Sequence, residues 1–237
     1  MRERPLSSVP KSALLLLAAA FILQLGWHFK QPPPQAKAEN LTPPPSITTL
    51  RVASFGEPIA LSKIMMLYLQ AFDNQAGINL SFRQLDYRQV EAWLTQILAL
   101  DSRGQYPLFA ASRLYGEIPD EPKQRAMLDF VYRQFLVDPN RRWKSLSHAV
   151  ILAKHRLKDL SLARKYAQAI RLYATNSDVP NWAKQMEIFV LEDMNELQSA
   201  QIIIGGLLHS GEITDPHEFH FLEQRLIALE NKTKNQQ

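Results

Sequence analysis

Apolar residues recur at helical spacing along most of the chain, and helix-breaking residues separate the apolar runs. From Pro58 onward this pattern predicts helices over residues 58–74, 86–100, 106–116, 121–136, 141–157, 160–174, 181–193, 196–210 and 216–231. Turn-forming Pro, Asn, Asp and Gly fall between these segments. We find no sustained alternation of apolar and polar residues that would predict a strand. The sequence therefore predicts an all-α fold.

Several positions in these helices repeat along the chain at a step of 37 residues. They are Ala126, Ala163 and Ala200; Phe130, Ala167 and Ile204; Leu114, Ile151 and Ile188; and Asp101 with Asp138. A period of this size in helical sequence is typical of a solenoid, in which each helical hairpin buries its apolar face on the next. We therefore predict an αα-hairpin solenoid with repeats of about 37 residues, covering residues 56–232 and followed by a disordered tail at 233–237.

A nearly continuous apolar segment, residues 13–29, lies near the N-terminus. As a helix rising about 1.5 Å per residue it would be about 25 Å long, which is near the lower limit for spanning a bilayer. Basic residues precede it and Lys30 follows it, so we expect the N-terminus in the cytoplasm and the body outside it. The predicted location is a bacterial inner membrane, with residues 1–30 as a signal anchor and the body in the periplasm. A cleaved signal peptide is the alternative, with Ala36-Lys37-Ala38 as the cleavage site.

Residues 31–55 are predicted to be a linker, because prolines cluster in them. Pro32 to Pro34 and Pro43 to Pro45 favour the extended polyproline II conformation. A segment of this kind is a semi-rigid spacer. We expect it to hold the helical body away from the membrane.

The repeated helices resemble the tetratricopeptide family. Asp86 to Asp101 and Lys158 to Ile170 look like second helices of such repeats, and Leu136-Val137-Asp138-Pro139 resembles a repeat end. The step of 37 residues is longer than the family's usual 34, and the Trp-Leu-Gly pattern of the first helix is missing. The resemblance covers residues 86–210 and implies a groove that binds a protein partner. Another solenoid of helical hairpins is the alternative.

Composition narrows the classes of function. The chain contains no cysteine, which excludes disulfides, cysteine–zinc sites, thiol nucleophiles and a lipidated cysteine. The formal net charge is +4, and most of this excess lies in residues 1–40. Since the sequence also contains no recognisable nucleic-acid-binding motif, we do not expect nucleic acid as a partner.

Charge is segregated between two adjacent blocks of the body. Residues 140–174 carry nine Lys or Arg and one Asp, a net charge of +8, whereas residues 185–224 carry eight acidic residues and no basic one. Such blocks can steer a partner, or they can attract each other within the solenoid. On the first interpretation the basic block binds an acidic partner, and its predicted binding residues are Arg141, Arg142, Lys154 and Arg164.

A histidine cluster near the C-terminus is the one feature that suggests a metal. His217 and His220 could share a helix face, but they do not form an H-E-x-x-H motif. Asp215 as N-cap, Pro216 in the first turn and Glu218 explain the same stretch as a helix start. Because no catalytic or phosphate-binding signature occurs elsewhere, we expect neither an enzyme, a metal nor a cofactor.

The glycine pair Gly205-Gly206 falls inside a predicted helix, where each glycine costs about 1 kcal/mol relative to alanine. Close approach of a neighbouring helix, or of a ligand or a partner's helix, would account for it.

The leading functional hypothesis is a membrane-anchored, non-enzymatic scaffold that binds a protein partner in a groove. One alternative is a subunit or assembly factor of an envelope membrane complex. In that case the membrane helix would pack on other helices through Gly26 and Ala18 to Ala20. A third hypothesis is a metal-dependent enzyme that uses His217 and His220.

Overall fold

A computed structural model describes residues 10–31, 40–72, 74–75, 78–79, 81–211 and 213–235. Among these residues the structure is helical apart from one ribbon of two short strands. The all-α class predicted from the sequence is therefore confirmed. By contacts the chain divides into two units, and the N-terminal helix lies in a different unit from the helical body.

Helix α1 spans Lys11–Lys30 and is apolar on all sides. It is 20 residues long, has a mean hydropathy of 1.7 and buries none of its residues against the rest of the chain. A helix of this length extends about 30 Å, the thickness of a bilayer's hydrocarbon core. Within the described residues, α1 is the single unbroken helix that is long and apolar enough to cross a membrane.

The other unit, here called the body, contains the remaining helices. Their bounds are α2 Ile47–Ala53, α3 Pro58–Ala71, α4 Tyr87–Leu100, α5 Tyr106–Arg113, α6 Glu121–Val137, α7 Pro139–His155, α8 Leu160–Tyr173, α9 Asn181–Lys184, α10 Met186–Asp193, α11 Leu197–Ser210 and α12 Pro216–Lys234. Every helix predicted from Pro58 onward is present, with the segment 181–193 divided into α9 and α10 at Gln185. Helix α12 continues to Lys234, past the predicted start of a tail at 233.

A short ribbon and two 3-10 turns lie between helices. The strands β1 (Asn74–Gln75) and β2 (Ile78–Asn79) pair antiparallel. The 3-10 turns cover Phe82–Gln84 and Tyr115–Glu117. The ribbon begins at the last residue of the predicted helix 58–74 and otherwise lies before the predicted helix 86–100.

Acidic residues begin the second helix of each successive hairpin. Asp86, Asp120 and Asp159 are the N-caps of α4, α6 and α8, and each side chain accepts a hydrogen bond from a backbone N–H two or three residues ahead. These bonds satisfy amide groups that have no partner inside the helix. Arg125 also donates to Asp159, and together the two interactions lower the pKa of this carboxyl.

Helices pack mainly on near neighbours along the chain. Helix α3 packs on α4, α5 on α6, α7 on α8, and α10 on α11. Contacts of α4 with α6, α5 with α7, and α8 with α10 join each hairpin to the next. The helix ends recur accordingly: Asp101, Asp138, Ala174 and Gly211 are the C-caps of α4, α6, α8 and α11, spaced 37, 36 and 37 residues apart.

The buried apolar residues of the body form two clusters. The larger extends from α2 to α10 and includes Ala163 and Ala167. The smaller lies between α10, α11 and α12 and includes Ala200 and Ile204. These four repeat positions are fully buried, in keeping with helices that meet closely there. Ile151 departs from the repeat pattern, because 46% of its surface is exposed.

Part of the segment assigned to a linker belongs to the body instead. Residues 47–53 form α2, with Ser46 as N-cap. Leu41 and Leu50 are buried in the larger cluster, and the Trp93 Nε1–H donates a hydrogen bond of 2.8 Å to the Thr42 carbonyl. The prolines 43–45 indicate an extended chain, but they do not reveal that its apolar neighbours are anchored on α4.

Candidate partner-binding surface

The two charged blocks face each other across the boundary between hairpins. Arg171 Nε donates to Glu187 at 2.7 Å, and Arg164 Nη1 lies 2.9 Å from a carboxylate oxygen of Glu196. Lys154 forms an ion pair with Asp193. These contacts join α7 and α8 to α10 and α11. Mutual attraction of the blocks, one of the two interpretations of the charge pattern, is therefore seen directly.

The four predicted binding residues occupy different environments. The side chains of Lys154 and Arg164 are 24% and 33% exposed and are engaged in the ion pairs just described. Arg142 is buried, and its guanidinium donates to the carbonyls of Gln134 and Ser102 at 2.7 and 3.0 Å. Burial lowers the pKa of Arg142. A partner cannot reach this group, which instead binds carbonyls at the ends of α6 and α4.

Arg141 is the member of the predicted set that lies at an open groove. Its side chain is 38% exposed and forms an ion pair of 3.2 Å with Asp138. The groove has a volume of about 380 Å³ and runs between α5, α7 and the loop before α9. It is lined by Gln105, Phe109, Asn140, Arg141, Trp143, Lys144, Ser145 and Asp178.

Aromatic rings line this groove and the surface beside it. Tyr106 and Phe109 stack on α5, with ring centroids 5.8 Å apart. Trp143 on α7 meets Trp182 on α9 edge to face at 5.5 Å. Trp143 is buried, whereas Tyr106, Phe109 and Trp182 are 49%, 48% and 55% exposed. We call these four residues the aromatic groove.

A second cavity of about 580 Å³ adjoins the aromatic groove and shares Gln105 with it. Its wall is largely apolar, with Met66 and Leu67 from α3, Ile97 from α4 and Pro107 from α5. Gln70 Nε2 donates a hydrogen bond of 2.6 Å to the Tyr106 hydroxyl. This bond ties α3 to the first aromatic residue of the groove.

Cations outnumber carboxylates around the two cavities. Arg113 lies 5.6 Å from the centroid of the Phe109 ring, and Lys144 lies 5.7 Å from that of Trp143. Lys63 and Arg141 are two further cations in the cavity walls, whose acidic residues are Asp101 and Asp178. Exposed rings with cations beside them suit a partner segment that is both acidic and apolar.

Sequence reasoning finds only part of this surface. Aromatic residues at helical spacing are by default core residues, and Trp93, Tyr115 and Tyr166 are buried. Trp182 differs because it is more than half exposed. Tyr106 and Phe109 give no signal of their own in the sequence. Their one indication in the sequence is spacing, because Tyr106 and Trp143 are 37 residues apart, the same step at which other positions repeat.

The histidine stretch forms a helix start, as predicted. Asp215 accepts a hydrogen bond from the His217 N–H at 2.9 Å, and Pro216 is the first residue of α12. Glu218 accepts a hydrogen bond from Asn181 Nδ2 at 2.9 Å, which ties α12 to α9. Within the described part of the chain, no three His, Asp or Glu side chains are arranged to hold a metal ion.

The glycine pair does not mark a close contact between helices within the chain. A Cβ atom added to Gly205 or Gly206 would meet no heavy atom within 4 Å. The expectation that a neighbouring helix of the solenoid approaches here is wrong. The space beside a Cβ atom at either position is open.

Comparison of the chain with protein-family models, with curated proteins and with solved structures found no match. Its function must therefore be inferred from the helices and surfaces described above.

Proposed function

We propose that this protein is a membrane-anchored scaffold that holds an acidic protein partner in the periplasm. Helix α1 is the anchor in the inner membrane, with its N-terminus in the cytoplasm, and the body is a tetratricopeptide-like solenoid. The partner binds in the aromatic groove. The observation that carries the proposal is a row of four aromatic rings on consecutive hairpins, three of them about half exposed, with cations beside Phe109 and Trp143.

The spacing of polar contacts supports the solenoid. Arg125–Asp159, Arg164–Glu196 and Arg225–Glu192 join residues 34, 32 and 33 positions apart. Each of these separations is close to one repeat. A stack of hairpins produces such contacts, because every residue of one hairpin lies near its equivalent in the next.

The groove is preformed, which favours binding. The backbone N–H of Asn176 donates to the Asn140 side chain at 2.9 Å, which fixes the loop before α9 against α7. Ring stacking holds Tyr106 on Phe109, and an edge-to-face contact holds Trp143 against Trp182. Rigid aromatic side chains lose little conformational entropy on binding and are frequent binding hot spots. A partner would meet anchors already in position.

Photo-crosslinking in cells tests the site. A photoreactive amino acid replaces Phe109 or Trp182, one position at a time, in the full-length protein. Leu172 is the matched control, since it is apolar and 49% exposed but lies on α8, away from the groove. We expect the same crosslinked partner from Phe109 and Trp182 and none from Leu172.

Charge reversal then tests the acidic character of the partner. Lys144→Glu places a carboxylate beside Trp143 and should weaken the crosslink from Trp182, because it repels an acidic segment. Lys165→Glu is the control, because Lys165 lies over Tyr132 outside the groove. Equal crosslinking from Leu172, or a crosslink that is insensitive to Lys144→Glu, would contradict the proposed site.

The alternative role in a membrane complex is favoured by the small residues of α1. Ala19 and Gly26 lie seven residues apart on one helix face, where a second membrane helix can approach closely. Gly26→Leu separates the two proposals. It should abolish co-purification of a complex that is assembled through α1, and it should leave crosslinking from the aromatic groove unchanged.

A further inference from the structure

Helix α3 is apolar on both faces. Its inner face buries Met65, Met66 and Leu69 in the body, whereas Ile59 and Ile64 on its outer face are 52% and 61% exposed. Lys63 is the one charged residue in its 14 positions. A surface helix normally presents a polar outer face to water.

The turn before α3 adds a nearly fully exposed aromatic ring. Phe55 is 95% exposed and has a φ of +49°, a conformation that is costly for a bulky side chain. Val52, at the end of α2, is 74% exposed. Since no core packing accounts for the position of Phe55, the turn presents this ring outward. We call Val52, Phe55, Ile59 and Ile64 the apolar edge.

The apolar edge lies at the first helices of the body, and the last helix, α12, carries more charge. A stack of repeats requires polar outer faces on its terminal helices to remain soluble. Helix α12, the last helix, mixes exposed Phe219, Phe221 and Ile227 with exposed Glu223, Glu230 and Lys232. Helix α3 exposes Ile59, Ile64 and Leu67 with Lys63 as its one charged residue, so we expect a covering partner there.

We propose that the apolar edge inserts into the lipid headgroup region of the membrane that α1 crosses. This inference rests on α1 being a membrane anchor. Nine residue steps separate Gln31, just after α1, from Asn40 in the body. Even a fully extended chain covers about 3.6 Å per residue, which limits the tether to about 32 Å. Asn40, where the body begins, therefore lies within about 32 Å of Gln31.

The chemistry of the edge also favours lipid over a second protein chain. Exposed Arg51 and Lys63 lie beside its apolar side chains, and Glu57 is the single acid in α2, α3 and the turn between them. Apolar side chains that enter the acyl boundary, with basic side chains reaching the headgroups, are typical of interfacial helices. The inner face of α3 packs on the body, so only its outer face enters the membrane.

Fluorescence quenching tests the proposal, and the absence of cysteine makes site-specific labelling simple. Single cysteines at Ala53, Ala19 and Lys232 place an environment-sensitive label at the apolar edge, in α1 and at the far end of the body. The full-length protein is reconstituted at one chain per lipid nanodisc. Emission is compared between ordinary lipid and lipid with nitroxide groups on its acyl chains, and iodide reports access from water.

We expect nitroxide lipid to quench the labels at Ala53 and Ala19 and to leave the label at Lys232 bright. Phe55→Asp with Ile59→Asp should abolish quenching at Ala53. The control Ile202→Asp, at a residue of α11 that is 75% exposed, should leave that quenching unchanged.

Three results would overturn the inference. An unquenched label at Ala53 beside a quenched label at Ala19 refutes insertion of the edge while leaving the anchor intact. A label at Ala53 that is shielded from iodide but not quenched by lipid means that protein covers the edge. If Ala19 itself is unquenched, the membrane anchor fails, and the inference fails with it.

Discussion

Replacing Glu187 with alanine tests whether neighbouring hairpins stabilise each other through specific contacts. The Glu187 side chain on α10 is 1% exposed. Arg171 Nε donates to its carboxylate at 2.7 Å, and Arg164 Nε lies 3.9 Å from its other oxygen. Both arginines belong to α8 of the preceding hairpin. The substitution therefore leaves two cations without their shared buried acceptor.

The size of the effect follows from the burial of each partner. Removing one member of a buried ion pair costs about 3–5 kcal/mol. Arg171 is 26% exposed and can partly turn to water, so the lower end, about 3 kcal/mol, applies. Glu187→Gln keeps a hydrogen-bond acceptor and should cost about 1–2 kcal/mol. The control is Glu121→Ala, whose carboxylate pairs with Arg125 but is 63% exposed, and which should cost under about 0.5 kcal/mol.

The position of Glu187 also predicts which part of the chain responds. Its neighbour Ile188 belongs to the smaller apolar cluster, whereas Arg171 lies on α8 beside the larger one. In a stack stabilised by nearest neighbours, loss of this contact releases the terminal helices and leaves the preceding hairpins intact. Local opening of α11 and α12 should therefore become easier, with α4 and α6 unaffected.

Hydrogen exchange with mass spectrometry measures this directly on the full-length protein in mild detergent. About 3 kcal/mol corresponds to roughly 100-fold faster exchange of the slowest amides in α11 and α12. A double-mutant cycle with Arg171→Ala isolates the coupling between the two side chains. Exchange that accelerates equally in α4 and α6, or a cycle with no coupling energy, would refute the nearest-neighbour reasoning.

The remaining predictions concern stability. Burial, and next the charge of Arg113, lowers the pKa of His148 even though its ring is hydrogen-bonded to Glu117. As the pH falls, His148 is therefore protonated in the unfolded chain before it is protonated in the folded one. The free energy of unfolding should decrease as the pH drops through about 6.5. His148→Gln should flatten the change in urea midpoint between about pH 7 and 5.5, and an unchanged slope would contradict it. Gly205→Ala and Gly206→Ala should each stabilise α11 by about 1 kcal/mol, because open space receives the new methyl group. A lower melting temperature in either variant would show that the glycines have a partner.

The helices could be predicted from the sequence because most contacts of this fold join helices that are near neighbours along the chain. Ala163 and Ala200, which are 37 residues apart, are both fully buried. Asp101 and Asp138 recur at the same step, since both end the second helix of a hairpin. The proposed stack of repeats accounts for this period.

Helix α2 is not predicted from the sequence, because the prolines before it indicate an extended linker. Three prolines precede it, and Leu41 and Leu50 are too far apart to indicate a helix face. A hydrogen bond from the Trp93 side chain to the Thr42 carbonyl holds this segment, and the two residues are 51 positions apart in the sequence. Local propensity carries no information about such a contact.

The ion pairs of Lys154 and Arg164 are not evident from the net charge of whole blocks of the sequence. Lys154 and Arg164 look available when only the residues around them are considered. Their acidic partners, Asp193 and Glu196, lie 39 and 32 residues ahead, close to one repeat. A comparison of each charged residue with the residues about one repeat ahead pairs Lys154 with Asp193 and Arg164 with Glu196. In a stacked fold, a charge is available to a partner only if its equivalent in the next hairpin is not of opposite sign.

The same comparison identifies the aromatic groove. Tyr106 and Trp143 are 37 residues apart on the first helices of consecutive hairpins, and Trp182 follows 39 residues later. Residues so spaced lie side by side when α5 packs on α7, as it does here. Core positions also recur at this step, so spacing alone does not separate an exposed row from a buried one. The separation comes from the exposure of each ring in the structure, where Tyr106, Phe109 and Trp182 are about half exposed and Trp143 is buried.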